Sequence, residues 1–140
     1  MPSVSIFSPI PTSPEIRQAL LALYARRQEG VLVRRANASI GGWRPRPHYC
    51  FDNVEAWISH KPAHKPVLGY SYFNCLPWGL NFVRFVPHAL VEVEDGGLVD
   101  ITPHGASDEY PFIRHTGTRD EFVALVEHQG THIGLDLILP

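Results

Sequence analysis

The sequence predicts an α+β fold, an antiparallel β-sheet packed against helices, and three observations point there. Helical apolar periodicity occurs in three separate places, after Ser13, from Cys50 and after Thr118. Between the second and third of these, β-branched and aromatic residues gather in consecutive runs joined by tight turns. The strands are thus grouped together and do not alternate one for one with helices, the order expected of α+β and not of a parallel sheet with crossover helices.

Taken in order, residues 1–12 are rich in Pro and Ser and read as an extended lead-in. Ser13 is suited to an N-cap and Pro14 to the first helical position, and Ile16, Leu20 and Leu23 form an i, i+4, i+7 stripe that runs until Gly30 stops it. Residues 31–36 read as a short strand, and residues 39–49, with two Gly and two Pro, as a loop. From Cys50 the pattern is helical, with Val54, Trp57 and Ile58 on one face, and Pro62 ends it. Residues 67–73 and 80–94 are strand-like, with Pro77 and Gly79 supplying the turn between them. Asp95, Gly96 and Gly97 make the next turn and residues 98–102 return. Thr118 and Glu121 have the spacing of a capping box ahead of Phe122, Leu125 and Val126, in a helix closed by Gly130. Residues 131–140 read either as an edge strand or as a docked extended end.

One domain spanning residues 1–140 is expected, because a chain of this length with 44% hydrophobic and 19% charged residues buries a core without staples. A net charge of -2, with Lys and Arg scattered along the chain, gives no basic footprint for nucleic acid. No window reaches the roughly 18 apolar residues of a membrane span, and the N-terminus has no basic segment followed by an apolar one. No membrane partner and a cytoplasmic location are therefore expected, with export that uses no cleaved signal left open. A lone bridge between Cys50 and Cys75 is not needed at this size, so free thiols are expected.

Three groups stand out in chain order: Cys50 at a helix N-terminus, His88 in one strand and Asp100 in the next. A thiol facing unpaired N–H groups and the positive end of a helix dipole is favoured as thiolate. An imidazole holds the proton, and a carboxylate on its other ring nitrogen fixes the tautomer. A three-residue turn at residues 95–97 pairs Glu94 with Leu98 and Glu92 with Asp100, which puts His88 and Asp100 on one face, whereas a two-residue turn at Asp95 and Gly96 would send Asp100 to the opposite face. Strand twist or a bulge must then bring Asp100 towards His88.

The stretches HYCFDNVEAWI and PHALVEVEDGGLVDITP, within about residues 43–103, resemble the Cys-then-His-then-Asp layout of the papain-like superfamily in its transglutaminase-like form. The spacing from His88 to Asp100 across a D-G turn is also similar to that in the NlpC/P60 cell-wall peptidases. The resemblance implies a papain-like core with Cys50 as nucleophile, His88 as general base and acid, and Asp100 as the orienting carboxylate. It implies acyl chemistry on a peptide or amide substrate through a thioester, with release to water (peptidase, amidase, deamidase) expected ahead of transfer to an amine, and no cofactor.

An oxyanion hole needs two donors. The Cys50 N–H is the first, and Trp43, Arg44 or Asn53 the candidates for the second; Asn53 equally suits a capping role. Trp43, Tyr70, Tyr72 and Trp78 either wall a substrate groove or fill the core. Two alternatives stand beside the hydrolase: a non-catalytic module that binds a peptide or small ligand, and a metal-dependent hydrolase using His48, Cys50 and His88. No closed metal-ligand set can be written, since Pro62 separates His60 from His64.

Overall fold

The first helix starts as its cap dictates. In the computed structural model, which describes residues 8–103, 110–130, 132 and 134–140, Ser13 accepts the Ile16 N–H and Pro14 opens α1 (Pro14–Ala25), burying Ile16, Leu20 and Leu23. A 3-10 turn over Arg27–Glu29 then leads to Gly30, so the α-helix ends before the glycine and the tighter turn fills the interval. Of the lead-in, residues 1–7 lie outside the described residues.

The strand expected over residues 31–36 contracts to β1 (Arg34–Arg35), because Val31 is drawn into a separate antiparallel bridge with Phe112. Then come α2 (Cys50–His60), β2 (Lys65–Asn74), β3 (Phe82–Glu92), β4 (Leu98–Asp100), β5 (Phe112–Arg114), α3 (Arg119–Gln129) and β6 (Leu135–Ile138). The α3 N-terminus carries the full reciprocal capping box of Thr118 and Glu121. Residues 135–138 settle the tail as a strand, paired with β3. β5 has no counterpart in the sequence reading, since three residues are too few to show a period.

The fold is α+β, with a six-stranded sheet ordered β1-β4-β3-β2-β5 and β6 also on β3. The sheet is not purely antiparallel as expected: β1 runs parallel to β4, with Arg34 beside Val99 and Arg35 beside Asp100. The reason is connectivity, because α2 and the β2–β3 hairpin separate β1 from β4 and give the chain the crossover that a parallel pair requires.

β2 and β3 pair along their whole length, from Lys65 opposite Glu92 to Asn74 opposite Val83. The other edge of β3 is shared. β4 takes Val91 and Glu92 and β6 takes residues 82–85, so residues 86–90 have no strand against them on that edge among the described residues.

Alternation divides β3 between two faces. Val83 and Phe85, with Tyr70 and Tyr72 of β2, pack under α1 and α3, while Ala89 and Val91, with Val99 and Ile101, pack under Val54 of α2. Leu90 points to the opposite face and meets Val67 and Phe112. Arg84 lies on that face too, bound to Asp136 at 2.6 and 3.1 Å, which fastens β6 to β3. Among the described residues no helix is long and apolar enough to cross a membrane.

Candidate active site

The chain enters α2 through a forced turn. His48 has a left-handed backbone (φ +69), a conformation that L residues adopt at a cost, and it reverses the chain two residues before Cys50. Tyr49 then occupies the N-cap position with no side-chain hydrogen bond into the first turn. Its carbonyl receives the first helical bond, from the Asn53 N–H at 2.8 Å. The earlier N–H groups, that of Cys50 included, have no carbonyl within the helix to bind.

The hairpin that carries His88 and Asp100 closes one residue earlier than the spacing suggested. Gly96, not Gly97, takes the left-handed position (φ +88), and Asp95 Oδ1 accepts the Gly97 N–H at 2.8 Å. The three-residue turn is therefore Glu94–Asp95–Gly96, with the Val93 N–H donating to the Gly97 carbonyl and Glu92 opposite Leu98. Parity is unchanged, so His88 and Asp100 share a face. Continuing the register places Asp100 opposite Leu90 and diagonal to His88, a pair closer than the expected position opposite Glu92. No bulge is needed.

From there His88 Nε2 lies 2.8 Å from Asp100 Oδ2, and Asp100 Oδ1 accepts the Thr102 N–H at 3.1 Å. A carboxylate at Nε2 makes that nitrogen the N–H donor, and Cys50 lies near enough to the same ring to help raise its pKa. His88 and Asp100 are each 8% exposed. Burial on its own pushes the imidazolium pKa down. Asp100, through its hydrogen bond and charge, and Cys50 close by outweigh it and hold His88 up at about 9. Asp100 of β4 is thus bound to the His88 imidazole of β3, and Cys50 of α2 lies near that ring.

Cys50 is a free, half-buried cysteine at the edge of the Val54, Ala89 and Val99 cluster. Cys75, also free, is buried beyond the far end of β2, where burial pushes its thiol pKa up.

The other candidates are dispersed. Asn53 is 3% exposed, and both of its amide protons are committed, to the Arg46 carbonyl at 2.8 Å and Thr102 Oγ1 at 3.1 Å, while its Oδ1 accepts the Arg46 N–H at 2.9 Å. It has no amide proton left for an oxyanion. Trp43 packs on Trp57, and its backbone N–H is held by the Ile40 carbonyl. Arg44 is exposed on the loop leading to α2. Trp78 sits in the turn between β2 and β3, six residues of β3 away from His88, roughly 20 Å at the rise of a strand. Tyr70 and Tyr72 fill the core beneath α1 and α3 and wall no groove at His88; the Tyr70 hydroxyl meets His115 Nδ1 at 2.9 Å.

His64 accepts from the Trp57 indole at 3.0 Å and reaches Glu94, whereas His60 turns back to the Ala56 carbonyl, so the two do not converge. Among the described residues no three His, Cys, Asp or Glu side chains are grouped as a metal site.

Two contributors escaped the sequence reading, Thr102 and the Arg46 backbone. The available signal was a polar Asn three residues after Cys50, next to Val54 on the side of α2 that packs on the sheet. A buried amide there needs partners. No protein-family model, no curated protein and no solved structure matches this chain.

Proposed function

We propose that this protein is a cysteine-dependent amide hydrolase, with Cys50 as nucleophile, His88 as general base and acid and Asp100 as the orienting carboxylate. One observation carries the reading: a single buried imidazole is bound at Nε2 by a carboxylate at 2.8 Å and has a cysteine at a helix N-terminus near enough to help raise its pKa. That is the division of labour a thiol acyl transfer needs.

In the reaction, His88 takes the Cys50 proton and the thiolate adds to the carbonyl carbon of the amide. The oxyanion forms against the N–H of Cys50. Collapse expels the amine, which receives its proton from the His88 imidazolium, and leaves a thioester. Water, deprotonated by His88, then attacks the thioester, releasing the carboxylic acid and restoring the thiol. Transfer of the acyl group to an amine in place of water would be the transglutaminase-type outcome of the same intermediate, and a papain-like core is the architecture this reading entails.

A second reading, a binding module whose His88–Asp100 pair is structural, is favoured by the depth of that pair and by the contact of Cys50 with an apolar cluster. Alkylation by iodoacetamide as a function of pH, followed site by site on the native protein by mass spectrometry, separates the two. The hydrolase reading expects Cys50 to react well below the ordinary thiol range of about 8.5, and His88→Ala to remove that reactivity, while Cys75 stays protected. Equal, ordinary titration of Cys50 with and without His88 sinks it in favour of the binding module.

A further inference from the structure

The groups around Cys50 are arranged as a ring. Cys50 lies near His88, His88 binds Asp100 at 2.8 Å, and Asp100 accepts the Thr102 N–H at 3.1 Å. Thr102 Oγ1 accepts from Asn53 at 3.1 Å, and Asn53 stands three residues after Cys50 on the same helix. The ring is further tied by the Arg46 backbone, which exchanges two hydrogen bonds with the Asn53 amide and so fixes the loop that turns at His48 into the helix.

We propose that Asn53 and Thr102 are positioning residues that hold the Cys50 end of α2 in register with the His88–Asp100 pair. The proposal rests on the reading of Cys50 as a nucleophile and adds residues that never touch the substrate. The physical case is one of pre-organisation. Apolar packing of Val54 against Ala89, Val91 and Val99 holds α2 to the sheet but is non-directional, so it leaves small slides of the helix inexpensive. A buried amide with every hydrogen-bonding atom engaged is directional, because displacement strands polar groups away from water. The Asn53–Thr102 bond spans 49 residues of sequence and joins α2 to the segment that follows β4, two residues beyond the Asp100 that holds the imidazole.

Sequence position adds weight. Thr102 is 4% exposed and directly follows Ile101, which is part of the cluster under α2. A β-branched Val would fill the same volume there. What threonine adds is the acceptor, and the acceptor is what Asn53 uses.

The test compares Thr102→Val and Thr102→Ser with the wild-type protein. The readout is the pH profile of iodoacetamide alkylation at Cys50, with thermal unfolding followed alongside. A third variant, Leu20→Ala, lowers stability in the core under α1, away from Cys50, and controls for mere loss of stability. Thr102→Val is expected to cut Cys50 alkylation near pH 6 by about tenfold and move the midpoint of its profile upward, since small misplacements of reacting groups carry large rate penalties. Thr102→Ser, which keeps the hydroxyl, restores most of the wild-type rate, and Leu20→Ala lowers the unfolding temperature without moving the profile.

A Thr102→Val profile that overlays the wild type overturns the positioning role and leaves the nucleophile reading intact. So does an equal shift in Leu20→Ala under conditions where it is folded. If wild-type Cys50 itself shows no low-pH reactivity that depends on His88, the nucleophile reading fails and the positioning role fails with it.

Discussion

Replacing Asp100 by Asn removes the charge of the buried pair while keeping the side chain's shape, and it leaves one acceptor oxygen where Asp100 uses two, for His88 and for the Thr102 N–H. In the wild type His88 rises from 6.5 to about 9, with the Asp100 hydrogen bond the largest of the effects that overcome burial. At about 1.4 kcal/mol per unit, the rise corresponds to up to about 3 kcal/mol of folded-state stabilisation. His88 is 8% exposed, so little of this is screened by solvent. A histidine whose folded pKa exceeds its unfolded value contributes its full share below the unfolded pKa of 6.5 and loses it as pH climbs through about 9.

In Asp100→Asn the charge is gone and burial dominates, so the variant lacks most of that contribution. Urea unfolding followed by tryptophan fluorescence, at intervals from about pH 6 to about pH 9.5, gives the difference between the two proteins with their common titrations cancelled. The gap is expected to be largest near pH 6, up to about 3 kcal/mol, and to shrink above pH 9 to the 1 kcal/mol or so of a neutral hydrogen bond. A gap that stays constant across this range would refute a charged His88–Asp100 pair and with it the account of the raised imidazole.

Two further outcomes test the scaffold. Asp136→Ala removes the carboxylate that binds Arg84 and also accepts the Ile10 N–H at 2.9 Å, so a loss of about 3–5 kcal/mol in urea unfolding is expected, and a loss under about 1 would show that β6 is held mainly by Leu135 and Leu137. At His48, whose φ is +69, substitution by Val should lower stability by about 1–2 kcal/mol while Gly leaves it equal or higher, measured by thermal unfolding; identical behaviour of the two variants would mean that the left-handed turn into α2 is not required.

The parts of this fold that were legible in the sequence are those set by local chemistry. Ser13 with Pro14, and Thr118 with Glu121, mark helix starts because caps act within three residues, and Cys50 does open α2. The shared face of His88 and Asp100 followed only from a turn of three residues, since a two-residue turn would have reversed it, and three is the length the folded hairpin takes. The exact register was not legible, since D-G-G offers two glycines for one left-handed position and only the folded turn decides between Gly96 and Gly97. The parallel pairing of β1 with β4, and the bond from Asn53 to Thr102, link residues far apart in sequence and leave no periodic trace. Trp78 illustrates the converse, an aromatic that suited either a groove wall or the core and that the topology carries to the far end of β3.

The placement of Cys50 poses a geometric puzzle that the sheet resolves. α2 packs by Val54 on the face that displays Ala89, Val91, Val99 and Ile101, whereas His88 and Asp100 alternate to the opposite face with Leu90 and Leu98. A continuous partner strand along β3 would keep the two apart. β4, however, ends at Asp100, and after Ile101 and Thr102 comes Pro103, which has no N–H with which to extend a ladder. β6 joins β3 only at residues 82–85, so among the described residues no strand pairs with the edge beside His88. Asp100 and Thr102 lie at that opening, and both are bonded to groups of the candidate site, Asp100 to His88 and Thr102 to Asn53 of α2. The early end of β4 therefore bears on the site as directly as the histidine does, because it leaves the edge at which α2, through Asn53, reaches the segment that follows Asp100.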